Sequence, residues 1–138
     1  RRARPVFVTQ ATFSGTTIEI HFVHKSQSGE VAVVGVFVQR DKNSKLSTPL
    51  LNDLPESSGE LVTLDGTRNP SDFLPRSRKY FSYSGSFTTP PCTEGIRWIV
   101  MKQPIGVAPE VVDRFAAILR SNNRPVQMLN NRIVERSE

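Results

Sequence analysis

A chain of 138 residues, with 37% apolar and 22% charged side chains, is long enough for one domain with its own core and shows no bias towards disorder. No apolar run approaches the length of a bilayer span, and Arg1-Arg2-Ala3-Arg4-Pro5 lacks the apolar stretch of a signal peptide. The net charge of +5 would suit an anionic partner, yet basic residues are scattered except at Arg1, Arg2 and Arg4. Neither zinc-finger spacing nor an aromatic RNA-binding signature accompanies them, so a solvated basic surface is favoured over nucleic-acid binding. A sequence that begins with Arg rather than Met is compatible with a processed product or a fragment of a longer polypeptide.

In chain order, Thr17 to His24 alternates as a strand should, with Ile18, Ile20 and Phe22 on one side and Glu19, His21 and Val23 on the other. Val31 to Val38 is a nearly continuous β-branched run, the pattern of a strand covered on both faces. The two are expected to form an antiparallel hairpin around Ser26 to Glu30, with Gly29 supplying the turn. Asp41 to Glu60 reads as surface loop with a short helix as an alternative, Leu61 to Leu64 as a short strand, and Asp65-Gly66 as the turn that closes it. Tyr80 to Tyr83 intersperses aromatics with serine, Pro90 and Pro91 punctuate a turn, and Arg97 to Met101 reads as a buried strand. Pro109 to Arg120 is the clearest helix. It carries Pro109 in its first turn, Glu110 at its positive end, and Val111, Val112, Phe115, Ile118 and Leu119 on one face, with Asn122 and Asn123 as stop residues. One helix among several strands predicts a mostly β domain of the α+β class.

Five segments carry a resemblance to a known family: IEIHFVHK at Ile18 to Lys25, AVVGVFV at Ala32 to Val38, NPSDFLP at Asn69 to Pro75, YFSYSGSFTTPPCTEGIRWIV at Tyr80 to Val100, and RPVQMLNNRIV at Arg124 to Val134. Together they resemble the later portion of the α-class carbonic anhydrases, zinc lyases that hydrate carbon dioxide to bicarbonate. The resemblance implies a single partial domain, family-like over residues 17–134 and atypical over 1–16, built on an incomplete, central twisted and mainly antiparallel sheet with few helices.

Zinc is the cofactor that the resemblance implies, because bound water then ionises near neutral pH, and such a site needs three protein ligands and one open position. His21 matches one family ligand, and Glu19, two residues earlier on the same strand face, is placed to accept the imidazole's other N–H, which would fix its tautomer and raise its basicity. The other two family ligands come from a His-x-His on the neighbouring strand. This chain contains only His21 and His24, so that motif is absent; a weak alignment places Val6 and Val8 at its positions. Thr88 resembles the threonine that orients the attacking hydroxide, and Thr89 the one that contacts bicarbonate. Val23, Val33, Phe87, Ile96 and Trp98 match the apolar wall that receives carbon dioxide, although periodicity alone reads all five as ordinary core. Cys92, the single cysteine, matches a half-cystine of exported members of the family and so suggests a secreted or periplasmic setting. Its other reading is a small buried hydrophobe. Carbon dioxide and bicarbonate are the implied ligands, with an N-terminal portion or a partner chain needed for activity. Two alternatives are a non-catalytic binding module without zinc and, less favoured, a metal site shared between copies through His21.

Overall fold

Alternation along residues 17–25 produces a strand with two covered faces, and the rest of the sheet is assembled around it. The computed structural model describes residues 6–12, 17–46, 55–57, 69–120 and 122–138, with backbone alone for 6–12 and 17. Strands β1 (Val6–Thr12), β2 (Thr17–Lys25) and β3 (Val31–Arg40) pair antiparallel in succession. The β2–β3 turn has the expected form. Ser26 N–H donates to the Glu30 carbonyl at 2.9 Å and Gly29 N–H to the Ser26 carbonyl at 3.2 Å. Gly29 has φ +94°, a backbone state that glycine reaches without a Cβ clash.

Beyond β3 the chain turns at residues 41–46, where Asp41 N–H donates to the Val107 carbonyl at 2.8 Å. Most of the expected 41–60 loop, the expected strand at 61–64 and the turn at 65–66 lie outside the described residues. A turn of 3-10 helix, Pro70–Phe73, is capped by the Asn69 side chain accepting from Ser71 N–H. Strand β4 (Tyr80–Ser86) folds back onto β5 (Glu94–Met101), which begins three residues earlier than the apolar run alone suggests. Strand β5 then runs parallel beside β3, and β6 (Ile105–Val107) runs parallel to the end of β3. Helix α1 (Pro109–Leu119) follows, and β7 (Glu135–Arg136) closes the outer side of β4. The order is β1-β2-β3-β5-β4-β7, with β6 beside β3. Among the described residues four pairings are antiparallel and two parallel, so the mostly β, mainly antiparallel expectation holds as a mixed sheet with one helix.

Each face of the sheet has its own core. On one, Ile18, Ile20, Phe22, Val36 and Val38 pack with Met101, Ile105, Val107 and the helix residues Val111 and Val112. On the other, Val33, Ile96 and Trp98 form a smaller cluster, flanked by Val23, Val31, Tyr83, Phe87 and Val100. Helix α1 stops before Asn122 and Asn123. Arg120 takes φ +51° and its N–H donates to the Ala116 carbonyl at 2.9 Å, which satisfies one end carbonyl and turns the chain away. Among the described residues no helix is long and apolar enough to cross a membrane.

Candidate functional site

His21 belongs to the set of β2 side chains that faces the smaller cluster, and there it meets the loop between β4 and β5. His21, Val23, Val33, Phe87, Thr88, Thr89 and Trp98 line one cavity of about 250 Å³. Seven of the eight residues expected from sequence to serve substrate or metal therefore surround a single space. Ile96 is not among the lining residues; it packs in the buried cluster with Val33 and Trp98, behind the wall. Alternation placed it on the correct face without indicating depth.

Trp98 organises the wall. Its Nε1–H donates to the Ser86 carbonyl at 2.9 Å, and its ring stacks on Tyr83 with centroids 6.3 Å apart. The buried His21 ring stands edge-on to the indole at 4.8 Å. The loop beyond β4 is held by Phe87 N–H donating to the Thr93 carbonyl and Cys92 N–H to the Thr89 carbonyl, both at 2.9 Å. It contains a cis Pro90–Pro91 bond and a positive φ at Cys92, whose half-buried thiol is free. Thr88 is half-buried and Thr89 exposed at the cavity mouth.

Glu19 approaches His21 Nε2 to 3.4 Å, an ion-pair distance that falls short of hydrogen-bond alignment and leaves this buried nitrogen unpaired among the described residues. Gly35, directly across the ladder from His21, makes room for that carboxylate: a Cβ there would collide with Glu19 Oε1. Gly35 was legible in the sequence only as an interruption of an apolar run. Its role follows from cross-strand register.

Catalytic zinc needs three protein ligands. Among the described residues no three His, Cys, Asp or Glu side chains converge. His24 lies on the opposite side of β2 by alternation, and its Nδ1–H donates to the Phe22 carbonyl at 3.0 Å. The β1–β2 register sets Val8 opposite His21 and Val6 opposite Val23, and valine has no donor atom. These residues do not fit a catalytic zinc.

Burial pushes the Tyr83 phenol above its ordinary value near 10; the Glu19 charge adds to this and Arg132 opposes it. The folded state then holds the phenolic proton more tightly than the unfolded chain. This contribution to stability is complete below about pH 10 and is lost as pH rises through the folded value. Thermal melts over about pH 8 to 11 should show wild-type stability falling more steeply at the alkaline end than that of Tyr83→Phe. Parallel profiles would mean that Tyr83 titrates as in the unfolded chain.

Comparison with known proteins bears on the family and the fold. The family described as eukaryotic-type carbonic anhydrase matches residues 12–138. A carbonic anhydrase from Nostoc sp. is 38% identical over 118 residues, which are 85% of this chain and 45% of the relative. The solved α-carbonic anhydrase of Photobacterium profundum is 42% identical with a TM-score of 0.76, over 85% of this chain and 54% of that one. A carbonic anhydrase from Chlamydomonas reinhardtii, in complex with acetazolamide, superposes with a TM-score of 0.80 at 31% identity, over 97% of this chain and 65% of that one. The chain spans about half the length of the curated relatives it matches. With a family match over most of its residues, this chain belongs to the α-type carbonic anhydrase family.

Proposed function

We propose that this chain supplies the carbon-dioxide-receiving wall and one imidazole of a carbonic anhydrase site. In this reading, reversible hydration to bicarbonate depends on metal ligands from polypeptide outside these 138 residues. The observation that supports it is the convergence of His21, Thr88 and Thr89 with Val23, Val33, Phe87 and Trp98 around one cavity. A linear uncharged gas offers little to hydrogen-bond, so apolar walls suit it, while two threonine hydroxyls give an oxyanion product polar contacts. Glu19 beside His21 fits a carboxylate that sets the orientation and tautomer of a ligating imidazole.

The chain alone, equilibrated with zinc and stripped of loosely bound metal, should retain negligible zinc by elemental analysis and should not hydrate carbon dioxide. A fusion carrying the N-terminal portion of the Nostoc relative ahead of Thr17 should hold about one zinc per chain and hydrate carbon dioxide, with both lost on His21→Ala. Tight zinc in the 138-residue chain would mean that other ligands complete its site. A folded, zinc-loaded fusion without hydration would falsify the catalytic reading. The Val8–His21 register favours a second reading, a binding module that reuses the pocket without metal. An inactive fusion, beside a folded and monodisperse metal-free chain, is the outcome expected of that module.

A further inference from the structure

Apolar residues collect on the surface in one stretch near the end of the chain. Val126 is 99% exposed, Met128 80%, Ile133 79% and Leu129 62%. Single exposed apolar residues are ordinary, but a cluster this dense within one segment is characteristic of a surface that another polypeptide covers.

This stretch has a defined shape despite lacking helix or strand over residues 125–134. At one end Arg124 Nη1 donates to Ser86 Oγ at 2.9 Å, and at the other Arg132 Nη2 donates to Glu94 Oε1 at 2.8 Å. Between them Arg132 N–H closes a turn onto the Leu129 carbonyl at 2.9 Å, and Asn130 and Asn131 take positive φ values of 49° and 63°. The Arg132 guanidinium also donates to the carbonyls of Met128 and Leu129. Both arginines are thus tied to the flanks of the β4–β5 loop while the apolar side chains are left exposed. Both tethers, Ser86 and Glu94, flank the loop that carries Phe87, Thr88 and Thr89, so the stretch is anchored at both ends of the loop that borders the candidate site.

We propose that the strip formed by Val126, Met128, Leu129 and Ile133 is the docking surface for the part of the carbonic anhydrase domain that its relatives possess and these 138 residues do not match. This rests on the reading that hydration needs polypeptide from outside the chain, and it names where that polypeptide binds. Two observations select this occupant over a second copy. The strip lies inside the family-matched residues, and the matched relatives run to about twice the aligned length. The apolar, methionine-containing side chains of the strip suit the buried centre of such an interface.

The test compares the 138-residue chain with the Nostoc fusion, both in chelator, so that no result depends on zinc or hydration. Met128 should be oxidised readily by peroxide in the chain and become protected in the fusion, with Met101, 5% exposed, as the resistant internal control. The double variant Met128→Asp/Ile133→Asp should leave the chain's urea midpoint unchanged. In the fusion it should shift the unfolding equilibrium by about tenfold or more, as expected for a charge placed in a packed interface. Equal oxidation of Met128 in both proteins, or a double variant as neutral in the fusion as in the chain, would overturn the proposal. So would a dimer of the chain that the double variant dissociates, since the strip would then bind a second copy. An inactive fusion that nonetheless protects Met128 sinks the catalytic reading and leaves this surface standing. An active fusion with Met128 still exposed does the reverse.

Discussion

Trp98→Ala should remove about 3–5 kcal/mol of unfolding free energy, the range for truncating a large buried aromatic. The side chain is 4% exposed and is shared by three relationships: the stack on Tyr83, the edge contact with His21 and the hydrogen bond to the Ser86 carbonyl. Alanine leaves a void between Val33 and Ile96 and takes the donor from that carbonyl, so lost packing and an unmet acceptor add together. Small domains hold only about 5–15 kcal/mol in total, and the variant is expected to be largely unfolded at modest urea. Far-UV circular dichroism is the readout required, because Trp98 is the single tryptophan and fluorescence disappears with it. A loss below about 1 kcal/mol would mean that the smaller cluster is not a packed core.

Phe22→Ala should cost a similar 3–5 kcal/mol or so through the other face of the same sheet. Phe22 is 1% exposed, packs among Ile20, Val36 and the helix valines, and meets the Phe73 ring at 6.2 Å. Its removal loosens the attachment of α1 and of the 3-10 turn without touching the cavity wall. Here Trp98 fluorescence is the informative signal: its native emission should be unchanged in the variant up to an earlier unfolding midpoint. An altered native emission would show that the two faces do not pack independently.

The contrast between these two substitutions follows from alternation along β2, which is a local property. Ile18, Ile20 and Phe22 on one side, with Glu19, His21 and Val23 on the other, could be read directly because successive side chains in a strand must oppose each other. The hairpin at Gly29 and the apolar face of α1 were legible for the same reason, since each depends on neighbours within a few residues. The five family-like segments extended this to the family of the chain.

Other features depended on pairings between distant segments. The parallel register of β3 and β5 sets Val33 beside Trp98, and only then do His21, Thr88 and Phe87 face one cavity. Tyr83 beneath Trp98 and Gly35 beside Glu19 follow from cross-strand register, which a side-chain period of two leaves open between distant segments. The early stop of α1 at Arg120 reflects a backbone state that its residue type does not favour. The sequence by itself therefore determined the faces of β2, the hairpin, the helix and the family to which the chain belongs, because these reside in local order and motif. The tertiary structure alone decided the depth of Ile96 behind the wall, the valine of β1 opposite His21 and the outward apolar strip, because each depends on which remote segments lie side by side.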